Sequence, residues 1–249
     1  MERIPVFDAR VEYGRAYLQP PPAVSLREHL RQAEAQAAVV ISRELFWLPP
    51  QRSIPLVNAR IAGTPGAYGV YLLLSALPGE MPPVETLAAS FAENRIAGFT
   101  LGNETYGVPW RPVMLRDELA ACERLHIPVF YHRAGAFSFE FLCDVMEAHP
   151  ALTVVLSVDE EWPNARKIYP LMKAYQNIHL CLSEHVWMGA VADLVRLFGA
   201  ERLLYSSSFP RRYPGGTVLM VQNAPIAQAE KDLIFGGNMT RLIGGIGHD

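Results

Sequence analysis

The sequence has little cysteine and little net charge, and both shortages exclude whole classes of protein. Its three cysteines, Cys122, Cys143 and Cys181, are widely spaced and odd in number. They form no CxxC pair, so neither a disulfide framework nor a thiolate metal site is indicated. We expect all three to be small core residues, because free cysteine is among the most often buried types. The net charge of −3 argues against a nucleic acid or a membrane surface as partner.

Long hydrophobic runs are also missing. The longest apolar stretches, such as residues 70–77, are far too short to cross a bilayer. Residues 1–15 carry charges throughout and contain no long apolar segment, which argues against a signal peptide. We therefore expect a soluble cytoplasmic protein.

What the sequence does contain is a regular series of short apolar runs, and half of its residues are hydrophobic. Most runs are β-branched or aromatic and nearly continuous in apolar character, as strands are when a parallel sheet is buried on both faces. Eight strands are predicted, at residues 5–11, 37–42, 70–76, 96–101, 127–132, 152–157, 178–183 and 202–207.

Helical patterns separate these runs. Residues 25–36 begin with Ser25 and carry Glu28 three residues later, which is typical of a capping box. Residues 115–126 repeat apolar side chains at spacings of three and four. Gly236 and Gly237 are expected to weaken or break the last helix. Residues 45–69 are rich in proline and lack a strong helical period, so they are predicted to be an irregular loop.

Eight strands that alternate with helices predict an α/β fold, a (β/α)8 TIM barrel spanning residues 1–249 as one domain. The alternative is an open doubly wound sheet. No glycine-rich phosphate fingerprint follows the first strand, which counts against a dinucleotide-binding fold. In a barrel, function lies at the carboxyl ends of the strands. Polar residues are found at those predicted ends: Arg10, Glu12, Arg43, Glu44, Glu104, His132, Arg133, Asp159, Glu160, Glu184, His185, Ser208, Arg211 and Arg212.

Five blocks of sequence resemble the amidohydrolase-related family of metal-dependent hydrolases and decarboxylases. The first, FDARVEYG, is similar to the opening pattern of that family, in which an aspartate precedes two alternating histidines. The others resemble its fifth strand, its sixth strand, its eighth-strand block and its closing helix, in the expected order. They lie at residues 124–135, 149–160, 194–210 and 234–244.

The resemblance implies a metal site, yet the metal-binding positions are substituted. The two histidines of the first strand correspond to Arg10 and Glu12, and the sixth-strand histidine corresponds to Val158. The aspartate of the eighth strand corresponds to Ser208, so His132 alone is kept. We expect no cofactor. The alternative is one divalent metal such as zinc, held by Glu12 and His132 with Asp159 or His185 as replacement ligands.

We interpret Arg10 as an organic cation that replaces the metal. His132 and Glu12 are the candidate catalytic residues; the alternatives are a hydrogen-bonding histidine and a structural salt-bridge partner of Arg10. Arg10, Arg133, Ser208 and Arg211 are the candidate substrate-binding residues for a small anionic ligand, because arginine forks match carboxylates. Tyr13, Tyr131 and Trp187 are expected as apolar walls. The alternative is a solvated rim whose arginines pair with nearby acidic residues.

Three functions stay open at this point. The protein is a barrel with a degenerate, metal-free site that binds a small organic acid. Alternatively, it is a hydrolase or decarboxylase of a small carboxylated substrate that uses a remodelled site. In the third interpretation, it is a non-catalytic partner or assembly subunit, either as a homo-oligomer or with an active paralogue.

Overall fold

A computed structural model describes residues 6–16, 22–75, 77–101, 111–133, 138–158, 165–183 and 189–247, with the backbone alone for Arg133 and Ala165. Eight parallel strands form one sheet in which each strand pairs with the next along the chain. The strands are β1 (Phe7–Tyr13), β2 (Ala37–Ser42), β3 (Ala67–Leu73), β4 (Ile96–Leu101), β5 (Val129–Arg133), β6 (Val154–Val158), β7 (Ile178–Cys181) and β8 (Leu203–Leu204).

The sheet closes on itself between the last strand and the first. The backbone N–H of Ala9 donates to the carbonyl of Tyr205 at 2.9 Å, and the N–H of Glu12 donates to the carbonyl of Phe209 at 2.8 Å. These bonds satisfy backbone groups that an open sheet would leave exposed at its edges. The predicted (β/α)8 barrel is therefore confirmed, and the open doubly wound sheet is excluded.

Helices connect the strands and cover the outside of the barrel. The Ser25 hydroxyl accepts a hydrogen bond from the N–H of Glu28 at 3.3 Å, which confirms the predicted start of the first helix. The helices are α1 (Leu26–Gln32), α2 (Pro50–Ala62), α3 (Val84–Ala88), α4 (Phe91–Asn94), α5 (Arg116–Arg124), α6 (Phe139–Ala148), α7 (Ala165–Ala174), α8 (Ala190–Phe198), α9 (Pro214–Gln222), α10 (Gln228–Asp232) and α11 (Asn238–Gly244).

The prediction of an irregular loop over residues 45–69 was wrong. A 3-10 turn at Arg43–Phe46 leads into helix α2, which has 13 residues. Pro50 occupies the first turn, where a missing N–H costs nothing. Pro55 lies inside the helix, and the buried face is carried by residues four apart, such as Val57 and Ile61.

The helical segment after β8 is interrupted at its paired glycines, as the sequence predicts. A wide turn at Leu233–Gly237 separates α10 from α11, and Gly236 within it leaves the helical conformation. Asn238 then begins α11 fully buried and donates its side-chain amide to the carbonyls of Ala200 and Leu203, at 2.8 and 2.9 Å. This contact fixes the last helix to the start of β8.

Arg202 is a buried arginine at the amino-terminal end of β8. Its guanidinium donates to the backbone carbonyls of Met172 at 2.7 Å and Tyr175 at 2.7 Å, and to that of Ile178 at 3.1 Å. These carbonyls lie at the end of α7 and the start of β7, where helix-end oxygens lack helical partners. Arg202 therefore joins α7 and β7 to β8.

All three cysteines are free thiols. Cys122 and Cys181 are buried as expected, whereas Cys143 is half-buried on α6. Within the described ranges, no helix combines the length and the hydrophobicity that a membrane crossing requires.

Candidate functional site

The predicted barrel mouth contains a cleft of about 410 Å³ at the carboxyl ends of β1, β2 and β5. Its lining mixes basic, aromatic and aliphatic side chains. The lining residues are Arg10, Glu12, Ala16, Ile41, Arg43, Phe46, Trp47, His132 and Arg211.

Arg10 is the buried cation of this cleft. Arg10 and Glu12 both line the cleft from β1, and the register of β1 against β2 shifts between Asp8 and Val11. The Arg10 side chain is 3% exposed and donates to the Ser157 hydroxyl at 2.7 Å and to the Glu12 carboxylate at 2.7 Å. The predicted Arg10–Glu12 pairing is present, and a seryl oxygen of β6 fixes the other end of the fork.

The Glu12 carboxylate lies close to arginine side chains from three different segments. Besides Arg10, its carboxylate lies 3.7 Å from Arg43 Nε and 3.9 Å from Arg211 Nη1. Arg43 follows β2 and Arg211 follows β8, so the barrel ends bring together residues that are far apart in sequence. Three guanidinium groups thus converge on one carboxylate at the wall of the cleft.

His132 lies in the same cleft on β5. Both ring nitrogens are buried, and neither has a hydrogen-bond partner in the part of the chain that the structure describes. Burial lowers the pKa of His132 well below its usual range, and the nearby Arg10 charge lowers it further. The imidazole is therefore neutral at pH 7, and its ring stacks on Phe130 with 5.6 Å between centroids.

The interior residue of β6 beside Arg10 is Ser157, and the correspondence of Val158 to the sixth-strand histidine of the family stays a prediction. The register pairs His132 with Ser157 and Arg133 with Val158. Neighbouring residues of a parallel pair point the same way, so Ser157 shares the interior with His132. A shift of one residue exchanges the two faces of a strand.

Ser208 is fully buried next to Arg10. Its N–H donates to the Arg10 carbonyl at 3.1 Å, and its hydroxyl donates to that of Ser183 at 2.8 Å. Ser208 has a φ of +55°, a conformation that non-glycine residues adopt rarely and that is found at constrained sites. Its predicted role in substrate binding stays a prediction.

Sequence reasoning missed Asp8, the residue below Arg10 on β1. One carboxylate oxygen accepts from the N–H of Arg10 at 2.9 Å and from the N–H of Ser207 at 3.0 Å. The other oxygen, like the Tyr205 hydroxyl, is buried with no hydrogen-bond partner among the described residues. Burial raises the pKa of Asp8 to about 7. A polar residue inside an apolar strand was the available signal.

The apolar walls also differ from those expected. Tyr131 is buried against Phe141 on the outer side of the barrel, because it is adjacent to the inward-facing His132. Tyr13 donates its hydroxyl to the carbonyl of Val24, away from the cleft lining. The walls are instead supplied by the residues after β2, in particular Phe46 and Trp47.

Other predicted residues lie away from the cleft lining or outside the described residues. Arg212 is exposed beside Arg211. Glu44 pairs with Arg60 of α2, so it is not the acidic partner of the rim arginines. Lying outside the described residues are Glu104, Asp159, Glu160, Glu184, His185 and Trp187, together with the side chain of Arg133. Within the described ranges, no three His, Cys, Asp or Glu side chains come together as a metal site would require.

The fold and the cleft define a TIM-barrel protein whose candidate site lies at the carboxyl ends of its strands. The family model of the amidohydrolases (Amidohydro_2) matches residues 8–245, so the chain belongs to that family. No curated protein is detectably similar to the chain in sequence.

Solved structures share the fold at low sequence identity. The 2,6-dihydroxybenzoate decarboxylase from Rhizobium superposes with a TM-score of 0.74 at 11% identity, over 96% of this chain and 98% of that one. A dihydroxybenzoic acid decarboxylase from Polaromonas, solved with manganese and 2-nitroresorcinol, gives 0.70 at 12% identity over 96% and 97%. An uncharacterised TIM-barrel protein from Bordetella bronchiseptica gives 0.66 at 20% identity, over 88% and 82%.

Proposed function

We propose that this chain binds a small organic acid in the Arg10 cleft, and that the Arg10 guanidinium takes the place of a divalent metal. The observation that carries the proposal is the position of Arg10. It is a buried cation, held by Ser157 and Glu12, at the strand position where the family resemblance implies a metal-binding histidine.

The described donors do not fit a divalent metal. Glu12 and His132 are the two residues of ligand type that line the described cleft, and Glu12 is already bonded to Arg10. Two unit charges of like sign about 4 Å apart repel by roughly 4 kcal/mol at an intermediate dielectric, and a divalent ion doubles that repulsion. A bound metal beside Arg10 would face this repulsion with few ligands to offset it.

The cleft suits an anion with an apolar body. Arg10, Arg43 and Arg211 present guanidinium groups, which pair with carboxylates through two parallel hydrogen bonds. Ile41, Phe46 and Trp47 supply apolar surface on which the rest of the ligand can pack. The decarboxylases with the same fold act on small acids of this kind, which supports the same ligand class here.

A second candidate function is metal-free hydrolysis by His132. A neutral imidazole can accept a proton from water while the water oxygen bonds to a carbonyl carbon, and arginines can stabilise the resulting oxyanion. The ring nitrogens of His132, which have no hydrogen-bond partner among the described residues, favour this role. However, burial and the Arg10 charge, which lower the pKa of His132, also make it a weaker base, so we place binding ahead of catalysis.

Calorimetry with 2,6-dihydroxybenzoate and related small carboxylates tests the proposal directly. Binding is expected to be equally strong with EDTA and with added Mn²⁺, and elemental analysis is expected to find substoichiometric metal. Arg10→Met should weaken binding by tenfold or more, because a charged hydrogen bond contributes about 1.5–3 kcal/mol.

Arg31→Met is the matched control, because Arg31 is an exposed arginine of α1 that pairs with Glu28. It should leave affinity unchanged. A stoichiometric metal that is lost on His132→Ala and is needed for binding would overturn the metal-free proposal. Hydrolysis of a small carboxylated substrate in the presence of EDTA, abolished by His132→Ala, would instead support the second candidate.

A further inference from the structure

A buried ion pair lies behind the cleft wall rather than in it. Glu44, in the 3-10 turn after β2, is 5% exposed. Arg60 of α2 donates to its two carboxylate oxygens at 2.8 and 3.0 Å. Arg60 also donates to the Ser42 hydroxyl at 2.9 Å, so the guanidinium is fixed to the end of β2 as well. Such a bidentate pair has a defined geometry as well as a charge.

Glu44 ties two loop segments together. Its carboxylate accepts from the N–H of Arg15 at 2.7 Å, which holds the segment after β1. Its backbone carbonyl accepts from the N–H groups of Trp47 and Leu48, at 3.1 and 2.9 Å, which holds the segment after β2. The indole N–H of Trp47 then donates to the Arg15 carbonyl at 2.9 Å and links the two segments directly.

Gly14 shows how closely the first segment approaches this pair. Its φ is +109°, a conformation that L side chains rarely adopt. A Cβ atom at this position would lie 2.1 Å from a Glu44 carboxylate oxygen and 2.7 Å from Arg60 Nη1. The backbone after β1 therefore lies directly on the ion pair, and glycine is what permits that contact.

The residues held in this way are the ones that line the cleft. Ala16 follows Arg15, and Arg43, Phe46 and Trp47 surround Glu44 in sequence. Arg43 faces Glu12 in the cleft while its neighbour Glu44 faces α2.

From this arrangement we infer that Glu44 and Arg60 are positioning residues that set the Arg43 guanidinium and the Trp47 ring for an anionic ligand with an apolar body. The inference rests on the proposed binding function.

Two substitutions test the pair. Glu44→Gln removes the charge and one acceptor oxygen, and Arg60→Lys keeps the charge but loses the fork. Glu28→Gln is the matched control, since Glu28 forms a comparable bidentate pair with Arg31 on the exposed face of α1. Each variant is first shown to be folded by circular dichroism at the temperature of the measurement.

The first readout is calorimetric affinity for 2,6-dihydroxybenzoate. We expect Glu44→Gln to weaken binding roughly tenfold, the order found for residues that support a binding group from behind. Arg60→Lys should have a smaller effect, and Glu28→Gln none. If Glu44→Gln does not fold, Arg60→Lys carries the test alone, and wild-type affinity in that variant would overturn the inference.

The second readout does not need the ligand. Trp47 is one of four tryptophans, so a background in which Trp110, Trp162 and Trp187 are phenylalanine reports on Trp47 alone. Acrylamide quenching of this tryptophan should rise in Glu44→Gln and stay unchanged in Glu28→Gln.

Unchanged quenching together with unchanged affinity would refute the positioning role. If the wild type binds none of the acids, the proposed function fails by itself, and Trp47 quenching still decides whether the pair positions the wall.

Discussion

Among the residues that the structure describes, two arginines are buried, and their surroundings differ. Arg202 donates mainly to backbone carbonyls, those of Met172, Tyr175 and Ile178, with one further bond to the Gln176 side chain. Arg10 donates to the side chains of Ser157 and Glu12 in an open cleft. Backbone oxygens at the end of a helix and the start of a strand cannot move without disturbing those elements. Side-chain oxygens in a cleft can be exchanged for those of a ligand, so the comparison separates a structural cation from a binding one.

The pKa values of the neighbouring histidines do not distinguish the structural arginine from the binding one. Burial lowers the pKa of His179 to about 4, with further lowering from Arg241 and Arg202. Burial and then Arg10 likewise lower the pKa of His132. A depressed histidine pKa therefore accompanies each buried arginine, and the cleft is what marks the functional one.

Replacing each arginine with methionine should break the comparison most visibly. Arg202→Met leaves several buried carbonyls without partners, so the free energy of unfolding should fall by about 4 kcal/mol. Arg10→Met should cost less, about 2 kcal/mol, because the buried Ser157 hydroxyl loses its donor whereas Glu12 lies on the cleft wall and keeps Arg43 and Arg211 nearby. Urea denaturation measures both free energies of unfolding. Equal losses would contradict the distinction between a structural arginine and a binding one.

The contribution of Asp8 to the pH dependence of stability should come next in size. Folded Asp8 has a pKa of about 7, whereas an unfolded aspartate ionises near 3.8. The folded state therefore binds the extra proton between these values, and the Asp8 contribution to stability falls as the pH rises through this range, by about 3 kcal/mol from pH 5 to pH 8. The lowered pKa values of His132 and His179 act in the opposite direction, because the unfolded state binds those protons more readily.

Asp8→Asn isolates this effect. Asparagine keeps an oxygen for the N–H groups of Arg10 and Ser207 but does not ionise. The difference in free energy of unfolding between the wild type and the variant isolates Asp8, because both proteins share the histidine contributions. This difference should shift by about 3 kcal/mol against the wild type from pH 5 to pH 8, and a difference that stays constant would show that Asp8 titrates normally.

The smallest expected effect is on the histidines themselves. Arg10→Met should raise the pKa of His132, because it removes a repulsive charge, although burial still keeps the value low. Arg202→Met should raise the pKa of His179 less, since Arg241 also acts on that ring. NMR titration of the imidazole proton shifts measures the pKa of each histidine. A His132 pKa that is the same in the wild type and in Arg10→Met would contradict the close placement of the two groups.

The sequence predicts the barrel well because its signal is repeated eight times. The polar residues at the strand ends were found for the same reason, since a strand that leaves the core must end in polar side chains. Arg10, Glu12 and Arg211 come together at the strand ends, and His132 lines the same cleft.

The failures have local physical causes. Helix α2 was missed because its prolines suggest a break, although Pro50 lies where proline is tolerated. Ser157 was not recognised as a partner of Arg10 because the phase of a buried strand is not visible when both faces are apolar. Trp47 was missed because its position depends on the ion pair between Glu44 and Arg60, which joins distant parts of the chain.

The closure between β1 and β8 has a consequence for how the molecule is made. The bond from Ser207 to Asp8 spans 199 residues, and the backbone bonds beside it span nearly as many. Contacts of such long range slow folding, because loop entropy is lost before the contact is gained. During synthesis β1 therefore lacks its partner β8 until almost the whole barrel has left the ribosome.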